Sequence, residues 1–144
     1  FFKDNPEWII TSLAVRLLKV AEAESLRLIE ETIAEREKRH LQNIHAAGSY
    51  FMNPVAPKEV QEIFEKEKNI KSREGRVPAG WLIEKSGMKG ARVGDAIASH
   101  QHPNYLVNEG GATARDVKEL AEKIKRAVMD KFGVELKEEA VVLG

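Results

Sequence analysis

Residues 113–133 place the tightest local constraint on how this chain can fold. Thr113 with Asp116 three positions later has the form of a capping box, with Asp in place of the usual Glu. Val117, Leu120, Ala121, Ile124 and Val128 then recur at helical spacing, and Gly133 is a good terminator. A long helix to about Phe132 follows, with one apolar face that other elements must cover. What covers it is a mixture. Trp8–Leu17 is rich in β-branched and large apolar residues and reads as a mostly buried strand. Arg92–Ser99, Asn104–Asn108 and Val134–Leu143 read as further strands. Ala21–His40 reads as an amphipathic helix with a solvated outer face, on the spacing of Leu26, Ile29 and Ile33. Pro57 opens a helix with Val60, Ile63 and Phe64 as its stripe, and Ala79–Ser86 is a short helix ended by Gly87. Strands and helices do not alternate as βαβ units, so the expected class is α+β: a small mixed or antiparallel sheet packed with helices in one domain. Residues 1–20 form its entry strand and residues 21–144 its main body.

At 144 residues the chain is long enough for one proper core. Twenty-three Lys+Arg balance 23 Asp+Glu, which removes the electrostatic argument for a nucleic-acid partner. No apolar run approaches a membrane span; the longest, Trp8–Val15, is interrupted by Thr11 and Ser12. With no cysteine there is no disulfide framework, thiolate nucleophile or Cys-ligated zinc, which fits a reducing cytoplasm. Phe1 stands where an initiator Met would, and no signal-peptide pattern follows it, so a piece of a longer chain is expected.

Few residues suggest chemistry unaided. Half of the ten glycines fall between Gly75 and Gly94, yet Gly87-x-x-Gly90-x-x-x-Gly94 is not the dinucleotide fingerprint and follows a helix rather than a strand. His100-x-His102 could set two imidazoles on one strand face, but no third ligand accompanies them, and no metal is expected. One of these histidines could instead donate a hydrogen bond to a ligand phosphate. Ser49 sits in a loop, Gly48-Ser49-Tyr50-Phe51-Met52-Asn53-Pro54, without a nucleophile elbow around it. Its hydroxyl could donate a proton only beside a group that stabilises the developing alkoxide. These residues alone leave an α+β domain with no assigned function.

Four blocks in register change that reading. They are the serine loop; Ala79-Gly80-Trp81-Leu82-Ile83-Glu84 with Gly87-Met88-Lys89-Gly90; His102-Pro103-Asn104-Tyr105-Leu106-Val107-Asn108 with Ala112-Thr113-Ala114-Arg115-Asp116-Val117; and Phe132-Gly133-Val134-Glu135-Leu136-Lys137-Glu138-Glu139, with Gly144 closing the chain. In this order they closely resemble the C-terminal domain of the UDP-N-acetylenolpyruvoylglucosamine reductase family, also called UDP-N-acetylmuramate dehydrogenases. The resemblance implies a cytoplasmic flavoenzyme of peptidoglycan precursor synthesis. Such an enzyme reduces the enolpyruvyl ether of UDP-N-acetylglucosamine enolpyruvate with a hydride from FAD, which NADPH regenerates. It also implies an N-terminal FAD-binding domain as the partner of this one, so that this piece alone would be inactive.

The family's proton donor, the serine of its Gly-Ser-x-Phe-Lys-Asn-Pro loop, falls on Ser49. Its acidic partner in a Leu-x-x-Glu setting falls on Glu139, with Glu138 the neighbouring alternative. Asn53 matches the loop asparagine at the substrate's diphosphate, and His102 a polar position bordering the nucleotide. Lys38, with Arg36 and Arg39, lies where the family places cationic diphosphate contacts; a solvated helix end is the competing reading for all three. Met52 departs from the usual Lys and Leu41 from a common Pro, and Phe2-Lys3 resembles only the tail of a Tyr-Arg-x-Ser-x-Phe-Lys motif. The rival from another class is a free-standing, non-catalytic nucleotide-sugar binding or interaction module, which would need neither Ser49 nor Glu139.

Overall fold

The computed structural model describes residues 7–38 and 44–141, without the side chains of Arg36 and Lys38. The chain divides into two compact units, Phe1–Lys38 and Arg39–Gly144.

In the first unit, helix α1 spans Glu22–Lys38, with Glu22 and Glu24 in the first turn, where carboxylates suit the helix dipole. Arg27 and Glu31, one turn apart, pair at 2.7 Å. The expected buried strand at Trp8–Leu17 does not form. Residues 8–21 carry no secondary structure, and Leu13 and Leu18 are 83% and 91% exposed. An extended apolar segment becomes a strand only when a neighbouring strand takes up its N–H and C=O groups. The described residues of this unit contain no such strand.

The second unit carries the core. Helix α2 (Lys58–Lys68) starts directly after Pro57, whose φ of −54° suits a helix entry. Val60 and Phe64 are buried but Ile63 points out, so the apolar stripe is narrower than its spacing suggests. Helix α3 (Ala79–Lys85) closes before Gly87, which takes the left-handed φ of +74° expected of a helix terminator.

Arg92–Ser99 is a hairpin rather than one strand. Strands β1 (Arg92–Val93) and β2 (Ala96–Ala98) turn through Gly94-Asp95, with Arg92 opposite Ile97 and Val93 opposite Ala96. Strand β3 (Leu106–Asn108) adds antiparallel to β2, with Ala98 opposite Leu106, giving the order β1-β2-β3. Helix α4 (Ala114–Phe132) packs across β1, β2 and α3. Its capping box forms as the sequence predicts: Thr113 Oγ1 accepts from the Asp116 N–H, and Asp116 Oδ2 accepts from the Thr113 N–H at 2.8 Å. At the far end the Gly133 N–H bonds the Met129 carbonyl.

The small side chains of Ala96 and Ala98 let α4 approach the sheet, and Leu120, Ala121, Ile124 and Val128 fill the interface. Each fully buried Leu, Ile or Val side chain here contributes roughly 1.5–3 kcal/mol. Phe64, Trp81 and Phe132 touch in series, the first pair edge to face and the second tilted, with centroid separations of 5.5 and 5.7 Å. The expected final strand at Val134–Leu143 reduces to a single bridge, Glu138 opposite Phe51, among the described residues. The α+β class stands, with an open three-stranded antiparallel sheet.

Candidate functional site

The loop from His45 to Pro54 is irregular, and hydrogen bonds and a bridge hold it on either side of residues 47–49. Ala46 bridges Val107 on the outer edge of β3, and the Asn108 N–H bonds the His45 carbonyl. Gly48 adopts φ +83°, a left-handed conformation that a side chain would strain, and so turns the chain inward. From there Tyr50 and Phe51 are buried and hold the loop to the core.

Residues 50–52 lie between two neighbours. On one side the Tyr50 N–H donates to the Asn104 carbonyl at 2.8 Å. The Asn104 side chain accepts from the Phe51 N–H and donates to the Phe51 carbonyl, both at 2.9 Å. On the other side the Met52 N–H donates to the Lys137 carbonyl at 2.9 Å, and the Glu139 N–H donates to the Tyr50 carbonyl at 2.8 Å. With Phe51 opposite Glu138, this register sets Glu139 across from Tyr50, one residue from the exposed Ser49.

The two candidate glutamates face different surroundings. Glu138 is half-buried and pairs with Lys125 of α4 at 2.9 Å; Lys125 also holds Glu122 at 2.8 Å. The Glu122 and Glu138 carboxylates push the Lys125 ammonium up to about 12. Burial first, and the charge of Glu138 second, raise the Tyr50 phenol above its ordinary value. Glu139 lies on the exposed side of the segment.

Asn53 follows the pinned stretch and turns to α3. Its Oδ1 accepts from the Ala79 N–H at 2.9 Å, capping a helix whose own N-cap, Pro78, has no side chain to do so. Its carbonyl accepts from the Arg76 guanidinium at 2.9 Å. A groove of about 700 Å³ opens beside it, with Met52, Asn53, Arg76, Glu135 and Lys137 among its walls. Arg76 and Lys137 thus supply cations to a loop whose own residue 52 is a methionine.

His102 is half-buried on the turn from Ser99 to Tyr105, its ring 5.8 Å from that of Tyr105. It does not line the groove, but it sits two residues from Asn104. The side chains of Lys38 and Arg36, and Arg39 as a whole, lie outside the described residues. Among the described residues no cluster of His, Asp or Glu is placed to hold a metal. Asn104, Arg76 and Lys125, which contact Phe51, Asn53 and Glu138, are not singled out by the sequence reading. A polar side chain in the otherwise apolar run Pro103–Val107 was the available signal for Asn104, because a buried amide must find partners. Nothing local announces the other two.

The second unit is therefore an α+β domain whose exposed Ser49 precedes a doubly pinned stretch, with Glu139 opposite Tyr50 in the backbone register and a cation-bearing groove along residues 52–57. Residues 37–143 match the family model for the UDP-N-acetylenolpyruvoylglucosamine reductase C-terminal domain, and the chain belongs to that family. It is 37% identical over 118 residues to the UDP-N-acetylenolpyruvoylglucosamine reductase of Heliobacterium modesticaldum, covering 82% of this chain and 32% of that protein. With the same enzyme of Paracoccus denitrificans it shares 32% identity over 142 residues, 98% of this chain and 44% of that protein. The crystal structure of the Thermus caldophilus reductase superposes with a TM-score of 0.55 at 33% identity, over 86% of this chain and 37% of that one. The chain thus spans about a third to somewhat under half of the length of these relatives.

Proposed function

We propose that this chain is the substrate-binding, proton-donating part of a reductase that converts UDP-N-acetylglucosamine enolpyruvate to UDP-N-acetylmuramate, a step of peptidoglycan precursor synthesis in the cytoplasm. FAD, held by a domain outside this chain and reduced by NADPH, supplies the hydride. Addition of that hydride to one alkene carbon leaves enol or carbanion character on its neighbour, and the residues of this chain deliver the proton that completes the lactyl ether.

Ser49 donates that proton. A serine hydroxyl is a weak acid, so its conjugate base must be stabilised or refilled by a neighbour. The observation that carries the reading is the ladder register that sets Glu139 across from Tyr50, next to Ser49. Glu138, committed to Lys125, is the poorer candidate. Asn53 and the cations of the adjoining groove hold the diphosphate, and His102 borders the nucleotide. No helix among the described residues is long and apolar enough to cross a membrane.

The test uses the complete reading frame that contains this chain. Flavin absorption is recorded, and NADPH oxidation is followed with the enolpyruvyl UDP-sugar in wild type and Ser49→Ala. The variant's flavin should still be reduced by NADPH while substrate turnover falls about 10²–10⁴-fold. A colourless protein that binds the UDP-sugar would favour the binding-module reading. A yellow protein whose Ser49→Ala variant turns over normally would remove Ser49 from the chemistry.

A further inference from the structure

Beyond Phe132 the chain alternates by burial. Val134 and Leu136 are inside at 3% and 2% exposure, and Glu138 follows them in the inward row, while Glu135, Lys137 and Glu139 point out. This is strand periodicity, yet the only bridge the segment forms among the described residues is Phe51 with Glu138. In a period of two, a slip by one residue exchanges the rows and would turn Glu139 inward and Glu138 out. Val134 and Leu136 fix the rows as far as residue 136; beyond them two successive glutamates make a local slip chemically quiet, so a further contact must fix which of the two faces the core.

Lys125 is placed to do this. It projects from α4 with its ammonium 2.9 Å from Glu138 and 2.8 Å from Glu122, and its side chain is 29% exposed against 30% for Glu138. The Glu138 carboxylate shares this ammonium with Glu122, and its charge also raises the phenol of Tyr50. Without the ammonium, a half-buried carboxylate would continue a row of apolar side chains, an arrangement that costs more than an exposed charge. We propose that Lys125 is a positioning residue: by holding Glu138 against α4 it locks the register of the last stretch of the C-terminal segment, past Leu136, and so keeps Glu139 beside the serine loop. The lock itself is independent of the chemistry, whereas its importance for turnover rests on the reading of Glu139 given above.

Hydrogen exchange on this chain reads the lock directly. Lys125→Met should speed exchange of the Met52 and Glu139 amides about five- to tenfold, leaving the Ala98 amide in the sheet unchanged. Lys125→Arg should restore protection, and Glu138→Gln should reproduce the loss; this isosteric variant carries the comparison if Lys125→Met does not fold. Unchanged exchange at Met52 and Glu139, or equal acceleration at Ala98, would overturn the proposal. In the complete reading frame, Lys125→Met should lower kcat with little change in KM or in flavin reduction, and Lys125→Arg should recover it. If exchange responds as expected but Glu139→Gln turns over normally, the register lock stands and the protonation reading of Glu139 falls.

Discussion

The carboxamide of Asn104 forms two hydrogen bonds with the backbone of Phe51, accepting from its N–H and donating to its carbonyl, both at 2.9 Å. A side chain thereby does the work of a neighbouring strand, across 53 positions of sequence. Both residues are buried, so neither backbone group of Phe51 has water as an alternative.

Removing that amide should be costly. Asn104→Ala leaves one buried donor and one buried acceptor unpaired, and a loss of about 2–4 kcal/mol in unfolding free energy is expected in a urea titration. Asn104→Asp keeps the acceptor for the Phe51 N–H but sets a carboxylate against the Phe51 carbonyl, so it should destabilise as well. A loss below about 0.5 kcal/mol for Asn104→Ala would mean that the loop holds without this clamp.

Gly94 and Asp116 make a second long-range dependence. A Cβ on Gly94 would stand 2.8 Å from Asp116 Cγ, and Gly94 has φ +53°. Asp116 is the residue that completes the cap of α4. Gly94→Ala should therefore add backbone strain to a displaced cap, for about 2–3 kcal/mol in total. Gly133→Ala, at φ +62° with nothing within 4 Å, is the control that carries strain alone. Thermal melts of the two variants should differ by the contribution of the cap, about 1 kcal/mol.

Those two contacts also explain what the sequence could and could not disclose. Helices α2, α3 and α4 were legible because caps, terminators and apolar spacing are local signals; α4 matched from Thr113 to Gly133. The turn at Gly94-Asp95 is hidden in the sequence because Arg92–Ser99 is apolar enough on either side of it to resemble one continuous strand. Trp8–Leu17 has strand composition, but a strand exists only with a neighbour, and composition does not supply one. In the serine loop, the family motif pointed to Ser49, Asn53 and Glu139. What holds that loop is a side-chain amide, a backbone ladder and the Lys125–Glu138 pair, all contacts between distant positions. No window of sequence contains them.

Glu65 gives the domain a defined response to acid. Its carboxylate accepts from the Ser72 hydroxyl at 2.6 Å and the Ser72 N–H at 2.9 Å, and pairs with Lys71 at 3.1 Å. Led by the Ser72 hydroxyl, these donors lower its pKa from 4.5 to about 2. A folded value below the unfolded one means that the ionised form is stabilised. The contribution is therefore complete above 4.5 and is lost as pH falls from there through about 2. The gap in melting temperature between wild type and Glu65→Gln should be widest near neutral pH and close across that interval. A gap that does not change with pH would assign the effect to packing.

Asn53 holds two assignments that one pair of variants separates. Its Oδ1 caps α3 by accepting from the Ala79 N–H, and under the proposed function the same residue faces the diphosphate of a UDP-sugar. Asn53→Asp retains an acceptor at the start of the helix, where negative charge is also favoured, so stability should stay within about 0.5 kcal/mol of wild type. The added charge would repel a diphosphate, and affinity for the enolpyruvyl UDP-sugar should fall about tenfold or more. Asn53→Ala should reverse the emphasis, losing about 1 kcal/mol of stability with the cap while adding no repulsion. Thermal denaturation and calorimetric titration of the two variants measure these quantities separately. If Asn53→Asp binds the UDP-sugar as tightly as wild type, Asn53 serves the helix alone, and the diphosphate must be held by other groups such as Arg76 and Lys137.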